Sequence, residues 1–211
     1  PGKRVALIGS VVVGAEFAFI LPMLGLSLLW FTQAEPLSRT RFSGHALKAL
    51  HREFAQFGVR ARTASRPSRA EVLDDGVVLT LPDGSQEKVD WELLGSGRTP
   101  HTEGLNLAAA GVTTDANGFI RVNDFLETTA SHIYAIGDVA NPAMTSSHAL
   151  AEAAVAVANV IAPRSRVRDA AAVPQAVYSA LELARMGMSE DQAEDEGREP
   201  AVGFAAFEVN P

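Results

Sequence analysis

Apolar residues come in short blocks broken by glycine at the start of the chain, and at helical spacing further on. Residues 4–8, RVALI, read as a short buried strand, and residues 26–31 as the next. Between them, residues 9–14 read as a glycine-bounded turn and residues 15–24 as a helix that Pro22 should kink or shorten. Strand, glycine turn, helix, strand is the βαβ opening of a nucleotide-binding fold. Over residues 43–57, Ala46, Leu47, Leu50, Phe54 and Phe57 fall three and four apart, which predicts an amphipathic helix that Gly58 stops. A strand at 59–63 follows. Residues 77–81 and 87–89 predict a hairpin around Pro82-Asp83-Gly84-Ser85, and residues 91–95 a strand returning toward the crevice.

The second half reads differently. A short helix at 105–110 precedes Gly111, and a strand at 119–122 follows the turn at Asn117-Gly118. Residues 133–136, IYAI, form an apolar run of strand type that Gly137-Asp138 ends. Residues 148–161, mostly Ala and Val, predict a helix buried on most faces. Residues 164–169 read as a charged linker, and further elements are expected at 173–178, 182–188 and 189–196. Ser189 should cap the last of these, with Gln192 as its capping-box partner.

Composition narrows the classes. With 211 residues, the chain holds one large or two modest domains, and 47% hydrophobic with 20% charged residues is ordinary for a globular protein. A net charge of −7 argues against nucleic acid or an anionic membrane as partner. Arg60, Arg62, Arg66 and Arg69 are the one dense basic run, and read as a solvated loop face. There is no cysteine, so a disulfide framework, a zinc–thiolate site and a thiol redox centre are excluded within this chain, which fits the cytoplasm. Residues 11–29 are apolar enough to suggest a membrane span. Glu16, Pro22 and the glycines make them a turn, a buried helix and a strand instead. His45, His51, His101 and His132 have no metal-ligand spacing, and no nucleophile motif occurs.

Two places carry candidate chemistry. A G-x-G-x-x-G turn uses its glycines for the tight turn, for close approach to a pyrophosphate and for helix-to-strand packing. Here Gly9 and Gly14 occupy the first and third places and Val11 the second, where its side chain should crowd the phosphates or force a different backbone angle. The turn either cradles a dinucleotide or is a scaffold that has lost that affinity. Asp138, at the carboxyl end of an apolar strand, can accept hydrogen bonds from ligand hydroxyls in the crevice of an open α/β sheet, or simply belongs to a Gly-Asp turn.

The stretch TTASHIYAIGDVA at 128–140, the βαβ opening and Gly97-Arg98-Thr99-Pro100-His101 resemble the pyridine nucleotide-disulfide oxidoreductases, flavoproteins that use FAD and NAD(P). The resemblance covers residues 4–210. It implies an α/β fold: a Rossmann-like NAD(P)-binding domain (1–100), the second half of an FAD-binding domain (101–165) and the start of an α+β dimerisation domain (170–211), with a homodimer as the family's architecture. Asp138, beside Gly137, matches the residue that bonds the ribityl chain of FAD, and residues 144–147, starting at Met144, match the loop whose backbone reaches the flavin ring. Glu16 matches a glutamate near the nicotinamide, or is an acid meeting the helix dipole. Gly97 matches a glycine that approaches NAD(P), or is a plain turn glycine. Thr32 and Gln33 occupy the ribose-reading position; Arg39 and Arg41 either meet a 2′-phosphate, which tilts the choice toward NADP over NAD, or are solvated.

The resemblance implies hydride transfer from NAD(P)H to FAD and onward to a disulfide or another acceptor. Departures are Val11, His101 in place of the usual Asn, and Ser146-Ser147 where an Ala-His pair is frequent. The family's amino-terminal FAD half with its C-x4-C disulfide, and its carboxyl-terminal His-Glu pair, are not in this sequence. The chain starts Pro1-Gly2-Lys3-Arg4 without an initiator Met, as an internal piece of a longer protein does. On this reading it holds half a flavin site and binds FAD poorly alone, and a truncated, non-catalytic scaffold or nucleotide-binding module is the alternative.

Overall fold

The computed structural model describes residues 3–203 and 205. Residues 1, 2, 204 and 206–211, which the first and last expected domains include, lie outside the described residues. Residues 97–175 form one compact unit; the residues up to 96 and from 176 onward form the other.

The first unit is built on a parallel sheet. β1 (Arg4–Ile8) pairs with β2 (Ser27–Phe31) on one side and β7 (Trp91–Leu94) on the other, with Val5 opposite both Leu28 and Trp91. A two-residue β3 (Ala61–Arg62) extends the sheet, giving the order β3-β2-β1-β7. From Val5 to Ile8 β1 is apolar and buried, because both its faces are covered there. Val5 and Leu7 pack with Ala15, Ala18 and Leu21 of α1 (Val12–Met23) and with Leu50 and Phe54 of α2 (Gly44–Gln56). Ala6 and Ile8 face Val77, Leu79, Leu81 and Val89 of an antiparallel meander, β4 (Arg69–Leu73), β5 (Gly76–Thr80) and β6 (Gln86–Val89).

Helix α2 matches its sequence pattern, with Ser43 capping it through Ala46 N–H. Helix α1 starts three residues earlier than expected, so Gly14 lies in its first turn, and Pro22 falls in its last turn, where the helix ends. The strand β4 was not expected at all. It is exposed along its whole length and pairs on one edge only, so it carries no alternation for sequence reading to find. Of the four arginines read as a solvated loop, Arg62 reaches Glu87 at 2.7 Å and Arg69 reaches Glu71 at 3.2 Å. Late in the chain, β8 (Gln175–Val177) and β9 (Leu183–Arg185) pair with each other, and Val177 and Leu183 join the same core as α1. Ser189 and Gln192 form the expected capping box on α4 (Glu190–Asp195).

In the second unit the strands expected at 119–122 and 133–136 reduce to single bridges, Thr114 to Ile120 and Glu127 to Tyr134. The apolar run is nevertheless packed on both faces, Ile133 and Ala135 against Val112 and Ile120, and Tyr134 and Ile136 against Leu126 and Val155. Thr128 N–H donates to Ile133 O (2.9 Å) and Ala135 N–H to Leu126 O (3.2 Å), which uses one edge; no second strand among the described residues pairs with the other. A 3₁₀ turn at Gly137–Val139 and α3 (Ser146–Ile161) follow, and the helix expected at 105–110 is a 3₁₀ turn, Leu107–Ala110. The stretch 164–169 is no free tether. Arg164 pairs with Glu127 at 3.3 Å, and the fully buried Asn159 bonds Arg166 through both N–H (2.9 Å) and carbonyl (2.7 Å). The whole architecture is a mixed α/β fold with a Rossmann-like parallel sheet.

Candidate functional site

The chain runs from β1 outward through β2 to β3, while β7 returns to the opposite side of β1. The carboxyl ends of β1 and β7 thus form the switch point at which open α/β sheets bind ligands. Gly9 and Gly14 meet there. Gly9 has φ +139°, and a Cβ on it would lie 2.2 Å from Gly95 O; a Cβ on Gly14 would lie 2.4 Å from Gly9 O. Both glycines are therefore required by backbone packing between turn, helix and β7, and Gly95 completes the set. Val11 is the N-cap of α1 at φ −88°, ψ −176°, an ordinary extended backbone, so it forces no unusual angle. Its side chain is 37% exposed, and no side chain caps α1, which leaves the helix amide groups directed outward.

Glu16 is the fifth residue of α1 and lies past the first turn, where the helix dipole has most effect. Instead its Oε1 accepts Tyr178 N–H at 3.0 Å, and next to it Ser179 donates to Ala15 O at 2.8 Å. Thr32 is 1% exposed and its Oγ1 has no hydrogen-bond partner among the described residues; Gln33 beside it is exposed. Arg39 and Arg41 are exposed. Arg41 has a cationic neighbour, Arg185, whose guanidinium is pulled below its ordinary value by burial and then by the Arg41 charge.

In the second unit, Gly137 is buried and Asp138 exposed in the turn before α3. Glu152, 5% exposed, accepts Gly137 N–H at 2.8 Å and Asn141 Nδ2 at 2.6 Å. Met144 is buried with φ +47°, and its carbonyl accepts from Arg98 Nη1 at 2.5 Å. Gly97, just before that arginine, faces open space. Thr145 caps α3 and contacts His148 Nδ1 at 2.7 Å.

The structure thus gathers Gly9, Gly14 and Glu16 in one unit and Gly137, Asp138 and Met144 in the other. Sequence reading missed Gly95, Tyr178, Arg185, Asn141 and Glu152. Only Glu152 carried a signal, as the one formally charged residue in an Ala- and Val-rich helix. No group of three or more potential metal-ligating side chains occurs among the described residues, and no helix among them is long and apolar enough to cross a membrane.

The chain was compared with known families, proteins and solved structures. The family model described as "Pyridine nucleotide-disulphide oxidoreductase" matches residues 1–158. The dihydrolipoyl dehydrogenase of Thermus scotoductus is 36% identical over 99% of this chain, and the soluble pyridine nucleotide transhydrogenase of Aliivibrio fischeri 30% identical over 90%. The chain spans less than half of these relatives, 46% and 40% of their lengths. Among solved structures, LpdA from Mycobacterium tuberculosis shares the fold with a TM-score of 0.84 at 24% identity, over 92% of this chain and 42% of its own. The flavoprotein disulfide reductase RclA from Escherichia coli, solved as a Cu(II) complex, reaches 0.81 at 26% identity, over 92% and 44%. By fold, by switch-point glycines and by a match over most of its length, this chain belongs to the pyridine nucleotide-disulphide oxidoreductase family.

Proposed function

We propose that this chain is the nicotinamide-binding and flavin-contacting segment of a flavin-dependent oxidoreductase. The uncapped amino terminus of α1 at the β1/β7 switch point carries the reading. Its amide groups fit a pyrophosphate, and Arg39 and Arg41, with Arg185 near Arg41, fit a 2′-phosphate, which favours NADP over NAD. Gly97 keeps the expected role of a glycine whose backbone approaches NAD(P), and Glu16 that of an acid near the nicotinamide. Asp138, exposed beside Gly137, accepts hydrogen bonds from the hydroxyls of the FAD ribityl chain. The α3 amino terminus, at residues 144–147, offsets negative charge on the flavin ring. When bound, NAD(P)H supplies a hydride and FAD accepts it before electrons pass to a disulfide or another acceptor. A homodimer in the cytoplasm belongs to this reading, supported by family membership and by the absence of cysteine.

Val11 favours a second reading, a scaffold without turnover, because its exposed side chain stands where the family keeps glycine. Calorimetric titration of the chain with NADPH and with NADH separates the two. Tighter NADPH binding supports the oxidoreductase segment and its arginines. Binding of neither at millimolar concentration overturns it in favour of the scaffold. A yellow purified chain would add that FAD is held as well.

A further inference from the structure

A buried carboxylate is retained where its hydrogen-bond capacity is filled. Glu152 meets two donors, Gly137 N–H on Oε2 and Asn141 Nδ2 on Oε1, at 2.8 and 2.6 Å. Asn141 carries the link onward, since its Oδ1 accepts Ala143 N–H at 2.9 Å and its carbonyl accepts Met144 N–H at 3.1 Å. From the far side Arg98 donates to Met144 O (2.5 Å) and Ala143 O (3.4 Å). Met144 at φ +47° lies in the left-handed region, which a non-glycine residue adopts only at a cost, so the loop needs such restraint to keep it.

We propose that Glu152 is a positioning residue that fixes the distance and orientation between Asp138 and the 143–147 loop, and so between the two places at which this chain meets a flavin dinucleotide; the flavin part rests on the reading under Proposed function. The chemistry requires a carboxylate. Two donors converge on one side chain, and an amide offers a single acceptor, so its NH₂ would oppose either Gly137 N–H or the Asn141 NH₂. The same logic names the compensating change. With aspartate at 141, a glutamine at 152 accepts Gly137 N–H and donates to residue 141, whose second oxygen still takes Ala143 N–H.

The test is a cycle of Glu152→Gln, Asn141→Asp and the double variant, read by amide hydrogen exchange at Gly137 and by FAD titration followed through flavin fluorescence. In Glu152→Gln, Gly137 exchange should speed up by about ten- to a hundredfold, and FAD should bind at least about tenfold more weakly. Asn141→Asp alone sets two carboxylates together and should lose as much. The double variant should recover both readouts to within a few-fold of the starting chain, which filling a cavity would not do. Unchanged Gly137 exchange in Glu152→Gln, or a double variant that remains as poor as the single ones or unfolded, overturns the proposal. If the single variant does not fold and the double does, the proposal holds. If the starting chain takes no measurable FAD, as half a flavin site would not, exchange at Gly137 in the same cycle alone decides whether Glu152 positions the loop.

Discussion

The indole N–H of Trp30 donates to the carbonyl of Gly9 at 2.7 Å, from a side chain only 1% exposed. The bond ties the end of β2 to the turn that leads into α1. Trp30 also meets Phe54 of α2 edge-on, at 5.3 Å between ring centres. Trp30→Phe should keep part of the packing and orphan the Gly9 carbonyl, at a cost of about 2–4 kcal/mol in urea unfolding. Any nucleotide affinity should fall along with it.

Thr32→Val should act in the opposite sense. The hydroxyl is buried with no partner among the described residues, so a methyl in its place removes a desolvated polar group. A gain of about 1 kcal/mol or more in the same unfolding experiment is expected. No gain would show that the hydroxyl is solvated in solution.

Val11→Gly should tighten NADPH or NADH binding by about tenfold, since removal of one apolar side chain from a contact surface shifts affinity on that scale. The backbone already has an extended conformation that glycine adopts freely, so helix α1 should stay in place. Equal dissociation constants before and after the change would mean that Val11 does not obstruct the helix terminus.

Glu92 lies in β7, where its side chain lines a shallow cleft with Ile8, Leu94, Arg66 and Arg69. Burial pushes its carboxyl above the ordinary value. The folded state therefore holds its proton more tightly than the unfolded state, and stability declines as pH rises from the ordinary glutamate value through the folded one. Glu92→Gln should raise the thermal midpoint at pH 7 and leave it unchanged well below the ordinary glutamate value of about 4.3.

In the other unit the sign reverses. The Asn123 side chain, and after it Arg164, hold the Glu127 carboxyl below its ordinary value. Its contribution is complete above the unfolded value and is lost as pH falls through the folded one. Unfolding followed from pH 7 down to pH 3 should show a shallower acid limb in Glu127→Gln than in the unchanged chain.

Elements with a strong local pattern were legible. The 3.6-residue spacing around Leu50 and Phe54 places α2 to within a residue at each end, and Ser189 with Gln192 announces its capping box. Where geometry depends on distant partners, the sequence is silent. The start of α1 follows from Gly9 and Gly14 closing on Gly95, some eighty residues away, and not from any capping side chain. The run at 133–136 has the composition and the two-sided packing of a strand. A strand also needs a ladder, which composition does not reveal. In the sites, residues found through motifs were turn glycines and Asp138, while Tyr178 and Glu152 act through fold-dependent contacts with Glu16 and Gly137.

The bond from Tyr178 N–H to Glu16 joins positions 162 residues apart, and Val177 and Leu183 fill the core beside α1. Order of synthesis gives this a temporal meaning. At about 5–20 residues per second, the ribosome takes roughly ten to thirty seconds after making Glu16 to deliver its partner. Throughout that interval the apolar face of α1 that later meets Val177 stays open, and the early chain depends on other shelter before it can close.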